Sequence, residues 1–105
     1  MPEGTQNRAA QRCAAALRAI SEVMSLTPPP AKADAAELGA ACRKLTEARD
    51  EYASAAAAYT ADLIEQDRPR DAKALRECVV PTLTAAGNRV AQWHLRLSKL
   101  KEKQK

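Results

Sequence analysis

The sequence predicts an all-α protein, an up-down-up three-helix bundle in which the second and third helices form a long antiparallel, coiled-coil-like hairpin. Apolar residues recur every three or four positions along three segments, as on the buried face of a helix. Prolines separate these segments, and only three of the 105 residues are glycine. No run of β-branched or aromatic residues indicates a strand. The length fits one domain, residues 1–105.

The first helix is expected over residues 5–26. Its apolar positions, spaced by three or four, predict one buried face: Ala10, Cys13, Ala14, Leu17, Ile20 and Met24. The sequence TPPP, residues 27–30, ends the helix because proline lacks an amide N–H and clashes with the preceding turn. Residues 27–33 are therefore expected to form a proline-rich linker.

The second helix is expected over residues 34–66. Asp34 is a candidate N-cap, and Glu37 occupies the acidic position of a capping box. Apolar residues recur at seven-residue intervals in a heptad seam, with others at the adjoining positions. These residues are Leu38, Leu45, Tyr52 and Tyr59, with Cys42, Ala48, Ala55, Ala56 and Leu63 beside them. The sequence DRPRD, residues 67–71, predicts a tight reversal with Pro69 in the first turn of the third helix.

The third helix is expected over residues 69–100, with a frayed basic tail at 101–105. Its apolar positions keep one phase through Pro81 and across Gly87: Ala72, Leu75, Val79, Leu83, Ala86, Val90, Trp93, Leu97 and Leu100. The constant phase predicts one helix bent at Pro81. A break into two helices at this proline is the alternative. Ile20, Cys42 and Trp93 are predicted to share one core layer.

The charge distribution favours an antiparallel pairing of the second and third helices. Residues 34–67 carry eight acidic and three basic side chains, whereas residues 68–105 carry three acidic and ten basic ones. Opposite charges that flank a helical seam are weak individually but select the orientation of the helices.

Catalytic chemistry has little support in the sequence. The chain has one histidine, His94, and nothing near it or Ser98 indicates an oxyanion hole. A phosphotransfer histidine is a second possibility, although the bulky sequence WHLRLSK argues against an accessible imidazole. We therefore expect no catalytic residues and no cofactor, with an enzyme of unrecognised site as an alternative.

The cysteines do not form a recognisable metal site or disulfide framework. Helix geometry brings only Cys42 and His94 to one level, and two ligands do not make a zinc site. Cys13, Cys42 and Cys78 are all expected to be small core residues. Their odd number and lack of a Cys-x-x-Cys pair fit a reducing compartment, so a cytoplasmic location is expected.

Membrane and targeting signals are weak or missing. No apolar run approaches the ~20 residues of a membrane span, and the N-terminal residues lack the apolar stretch of a secretory signal. Their Arg and Ala content faintly resembles a mitochondrial transit peptide, but Glu3 and Glu22 count against that interpretation. Neither a membrane nor a small-molecule substrate is expected as a partner.

A partner surface is predicted at the lower end of the hairpin, meaning the end that contains the turn between the second and third helices. The first helix is shorter than the other two, so it should leave part of the alanine- and tyrosine-rich seam uncovered. The predicted partner-binding groove comprises Tyr52, Ala55, Ala56, Tyr59, Leu63, Leu75 and Val79. A partner helix or a second copy of the chain would cover it. This predicts a non-enzymatic protein–protein interaction module: an adaptor, a chaperone-like binder or a subunit of a helical complex.

Nucleic-acid binding through the basic third helix is the alternative function. Its candidate phosphate contacts are Arg89, Arg96, Lys99 and Lys101, followed by Lys103 and Lys105. Such contacts make binding strongly salt-dependent. The sequence offers no aromatic platform or recognised nucleic-acid motif, so this function ranks second.

Overall fold

Three α-helices account for almost all of the structure. The computed structural model describes residues 3–29 and 31–103, which form α1, Glu3–Leu26, α2, Ala35–Glu65, and α3, Pro69–Lys103. These residues contain no strand, so the predicted all-α three-helix bundle is confirmed. The molecule measures 58 × 22 × 19 Å. Helix α3 accounts for most of this length, since its 35 residues span about 52 Å.

The central helix of the bundle is α2, because α1 and α3 both pack along it and make few close contacts with each other. Arg12 of α1 donates from Nε to Glu51 Oε1 of α2 at 2.9 Å, whereas Val23 shares a cleft with Ala40. Residue numbers therefore rise in α1 as they fall in α2. The same holds for α2 and α3, as the contacts of Arg49 and Cys42 below show, which confirms the up-down-up order.

The buried face of α1 differs from the predicted one. Ala14 and Leu17 are exposed, and Ala10 and Met24 are half-buried. Cys13 and Ile20 are buried as predicted, and Ala9 and Ala16 complete the buried face, with Ala19 and Val23 packed beside it. Helix α1 packs mainly on α2 and makes few close contacts with α3, so its buried face is turned toward α2.

A seam of mostly alanine residues joins α1 to α2 and explains which face of α1 is buried. Three small residues recur every seven positions on each helix: Ala9, Ala16 and Val23 on α1, and Ala41, Ala48 and Ala55 on α2. All of them are buried except the half-buried Val23. Small side chains let two helix backbones approach closely, so this seam favours contact with α2 over insertion between α2 and α3.

The start of α2 has the predicted cap. Asp34 has extended backbone angles, φ −85° and ψ 174°, and its Oδ1 accepts a hydrogen bond from the Glu37 amide at 2.8 Å. Within the described part of the chain, the Glu37 carboxylate does not return a bond to the Asp34 amide, so half of the predicted capping box forms. The heptad seam beyond it is buried as predicted, except that Tyr59 is half-buried.

The reversal between α2 and α3 depends on a left-handed backbone conformation that the sequence pattern does not indicate. The Arg68 amide donates to the Leu63 carbonyl at 2.9 Å, and the Asp67 amide donates to Ile64 at 3.0 Å. This is the Schellman pattern of a helix C-terminus, and it places Asp67 in the left-handed region at φ 59°. Pro69 then begins α3, as predicted.

The third helix is continuous through Pro81, so the alternative of two separate helices is wrong. Pro81 is exposed, which keeps its ring away from the seam. Helix α3 runs to Lys103, three residues past its expected end, and the last two residues of the predicted frayed tail lie outside the described residues. Ile20, Cys42 and Trp93 are all buried, with 3%, 4% and 0% exposure, as predicted for the core layer.

Candidate functional site: the α2–α3 hairpin

The protein's own helices fill most of the predicted partner-binding groove. Five of its seven residues are buried: Tyr52, Ala55, Ala56, Leu63 and Val79. Tyr59 and Leu75 are half-buried and pack against the core. The expectation that this groove is exposed is therefore wrong for most of its residues.

The register of α1 explains why the groove is covered as far as Tyr59. Arg12 lies beside Glu51, and α1 extends nine residues beyond Arg12, to Glu3. At 1.5 Å per residue this end of α1 reaches about 13 Å past Glu51, which is the level of Tyr59. The first helix was expected to leave this part of α2 uncovered.

Tyr52 lies where the three helices meet. Burial is the largest influence on its hydroxyl and raises its pKa above 10.0; Cys13 of α1 and Cys78 of α3 add to the increase. A hydrogen bond with the Thr82 side chain of α3 acts in the opposite direction. Tyr52 is therefore a structural residue of the core, with its hydroxyl facing both outer helices.

A different surface of the hairpin exposes apolar side chains. Ile64 and Val80 are 58% and 54% exposed. On α2, Ile64 shares a side with the exposed Ala53 and Ala57, and on α3, Val80 shares a side with the exposed Thr84, because each set is spaced by four or seven residues. We call these five residues the open face.

The open face lies on the side of the hairpin away from α1. Arg49 precedes Ala53 by one turn, and its guanidinium lies against Gly87, 3.6 Å from where a Cβ would stand. Gly87 follows Val80 by two turns, so the two halves of the open face meet on one side of the molecule. By contrast, α1 packs on the opposite flank of α2, where Arg12 reaches Glu51. The sequence signal for the α2 half of the open face was the lack of charge at residues 53, 57 and 64, which share one side of the helix.

The four basic residues proposed for nucleic-acid binding do not form one surface. Arg89, Arg96 and Lys99 are separated by seven and three residues, so they share one side of α3. The first two are half-buried and Lys99 is exposed. Lys101 lies on another side, in a cleft with Arg43. The helix thus brings three of the four candidates together.

The cysteines are not all core residues. Cys13 and Cys42 are buried as predicted, but Cys78 is exposed, which corrects the third assignment. Residue type alone favours burial, whereas position 78 is one step round the helix from the buried seam residue Val79. Among the described residues, no group of three or more His, Cys, Asp or Glu side chains is placed to hold a metal ion.

A cleft of about 560 Å³ lies between the first turns of α2 and the last turns of α3. Basic side chains and small apolar residues form its walls: Ala35, Ala36, Gly39, Cys42, Arg43, His94, Leu97 and Lys101. As predicted, Cys42 and His94 occupy one level. His94 is exposed, and the neighbouring Trp93 is fully buried with its indole Nε1 lacking a partner among the described residues.

Comparisons with protein-family models, curated proteins and solved structures find no match to this chain. Within residues 3–29 and 31–103, no helix is long and apolar enough to cross a membrane.

Proposed function

We propose that this chain is a non-enzymatic protein–protein interaction module whose open face binds a partner helix. It would act as an adaptor, a chaperone-like binder or a subunit of a helical complex. The observation that carries the proposal is the exposure of Ile64 and Val80 on one side of the hairpin. Apolar side chains grouped on a surface are typical of sites that a partner covers.

The shape of the open face suits a helix. Ala53 and Ala57 project little, so a partner backbone approaches α2 closely between the larger Ile64 and Val80. An amphipathic partner would lay its apolar face along this shallow groove. Tyr59 and Leu75 keep partial exposure at the same end of the hairpin, and a partner that extends round this end would reach them.

A second copy of the chain is the partner that we propose first. Two-fold dimers are the commonest oligomers, because one patch then covers its own copy. The test is sedimentation of the purified protein over a range of concentrations. We expect a dimer that Ile64→Glu dissociates, and Ala74→Glu is the matched control because Ala74 is exposed on another side of the hairpin.

A different protein could bind the open face in place of a second copy, and a binding experiment tests this case. If the purified chain is a monomer, it should bind a partner from a lysate of its native cells, and Ile64→Glu should abolish that binding while Ala74→Glu preserves it. A monomer whose open-face variant binds the same proteins as the wild type would contradict the proposal. Identical sedimentation of a dimeric wild type and Ile64→Glu would contradict it as well.

The alternative, nucleic-acid binding, is favoured by the alignment of Arg89, Arg96 and Lys99 along one side of α3. A gel-shift series across salt concentrations tests it. Binding should weaken steeply with salt, and replacing both Arg89 and Lys99 with glutamine should reduce the slope. The absence of any shift at low salt would remove this function.

A further inference from the structure

We infer that the cleft between the start of α2 and the end of α3 is a binding site for a phosphate group, either free phosphate or a phosphate ester. This site is distinct from the open face and goes beyond the proposed function. It lies at the upper end of the hairpin, whereas Ile64 lies beside the lower turn. The residues that carry the inference are Arg43 of α2 and His94 and Lys101 of α3, which all line the cleft.

The basic side chains of the cleft lack protein counter-charges. Arg43, His94 and Lys101 form no hydrogen bond or ion pair with any other described residue. Neither His94 nor Lys101 has an acidic residue three or four positions away in α3. Within α2 the corresponding acidic neighbour of Arg43 is Glu47, which lines a different cleft beside α1.

The acidic residues at the start of α2 are also directed elsewhere. Asp34 accepts the hydrogen bond that caps the helix, and Glu37 lines the cleft that faces α1. No carboxylate appears among the residues that line the basic cleft. The cleft therefore carries two permanent positive charges and an imidazole with no internal anion to neutralise them.

A phosphate group matches this arrangement in charge and in shape. The group carries up to two negative charges, and its oxygens accept bidentate bonds from a guanidinium and further bonds from an ammonium group and an imidazole. Ala36 and Leu97 provide an apolar wall for the organic part of an ester. A Cβ built on Gly39 meets nothing within 4 Å, so the cleft is open next to the α2 backbone.

The test uses the imidazole of His94, which is the sole histidine of the chain and so gives unambiguous NMR signals. The purified full chain is titrated with inorganic phosphate, with phosphoserine and, at equal ionic strength, with chloride. We expect saturable shifts of the His94 signals with phosphate or phosphoserine and not with chloride. Tighter binding of phosphoserine would assign the site to a phosphorylated side chain, and equal or tighter binding of inorganic phosphate would assign it to free phosphate.

Substitutions test whether phosphate binds specifically in this cleft or is attracted by the positive charge of the whole protein. Arg43→Gln and Lys101→Gln should each weaken binding about tenfold, because each removes a charge-assisted contact. Arg76→Gln is the control, since Arg76 is exposed and does not line the cleft. Equal losses in Arg76→Gln and Arg43→Gln, or equal responses to chloride and phosphate, would overturn the inference.

A second pair of variants uses the open space beside Gly39. Gly39→Glu places a carboxylate in the cleft and should abolish the response of His94 to phosphate. Gly39→Ala makes the same backbone change without the charge and should bind as the wild type does. A Gly39→Glu protein that is folded by circular dichroism and still binds phosphate would contradict the site.

Discussion

Ala56 and Ala57 are consecutive residues of α2 with opposite surroundings. Ala56 is 5% exposed and belongs to the core, whereas Ala57 is exposed and belongs to the open face. A helix turns by about 100° per residue, so one step along α2 moves a side chain from the core to the partner surface. Substitutions at these two residues can therefore test the stability of the bundle and its proposed association separately.

Glutamate at these two positions should give different defects. Ala56→Glu buries a charge among apolar side chains and should lower the free energy of unfolding by about 3 kcal/mol or more. At protein concentrations at which the wild type is monomeric, Ala57→Glu should change it by less than about 0.5 kcal/mol, because the carboxylate stays in water. Urea denaturation followed by circular dichroism measures both, and equal stabilities would show that residue 56 is not buried.

The glutamate variant at residue 57 also tests the proposed association. Ala57→Glu should dissociate the complex while the protein remains folded, because it places a charge on the open face. If Ala57→Glu sediments like the wild type in a dimeric preparation, the partner surface does not include this part of α2.

The alanine seam between α1 and α2 predicts a strict size limit. Ala16 and Ala48 are 4% and 8% exposed and line the same groove between the two helices. Ala16→Leu would force the helices apart and should cost about 1–3 kcal/mol of stability. Ala14→Leu is the matched control, because it makes the same change on the exposed side of α1. Urea midpoints that are equal for the two variants would contradict the seam.

The conformation of Asp67 predicts a stabilising substitution. Its φ of 59° lies in the left-handed region, where glycine has no steric cost. Asp67→Gly should therefore raise the melting temperature, with a gain of about 0.5–1 kcal/mol. Asp67→Ala removes the same charge but keeps the Cβ, so it should give no gain. An equal increase in both variants would attribute the effect to charge instead of backbone conformation.

The sequence predicted the helices and the α2–α3 seam because periodic apolar residues and prolines act locally. Ala14 and Leu17 were assigned to the core wrongly, since the spacing of α1 permits two adjacent faces. The choice between these faces depends on the alanines of α2, such as Ala48. The apolar pattern of one helix does not show how that helix pairs with another.

The candidate site was less predictable for the same reason. The groove around Ala55 was inferred from the lengths of the helices, and the register of α1 carries this helix further along α2 than those lengths implied. Ile64 and Val80 were not recognised as exposed, because an apolar residue beside a seam has the same sequence signature whether it is buried or not. The cleft around His94 depends on which neighbours of Arg43 point elsewhere, which only the structure shows.

Two buried thiols and a buried phenol make the stability of the protein sensitive to alkaline pH. Burial is the main cause that raises the pKa of the Cys13 thiol above 9.0, with Arg12 opposing the increase and Glu51 adding to it. Burial also raises the pKa of Cys42 above 9.0, and that of Tyr52 above 10.0. Each group therefore loses its proton more readily in the unfolded chain than in the folded one.

Because these pKa values are higher in the folded state than in the unfolded one, stability should fall as the pH rises. The contribution of these groups to stability is complete below about pH 9 and is lost as the pH rises from there through the pKa values of the folded state. We expect the urea midpoint to be constant from about pH 7 to pH 8.5 and to fall above about pH 9. Replacing both Cys13 and Cys42 with alanine should flatten the fall between pH 9 and 10, whereas Cys78→Ala should preserve it because Cys78 is exposed. An equal slope in the two variants, or a midpoint that rises with pH, would show that the buried thiols do not control the alkaline stability.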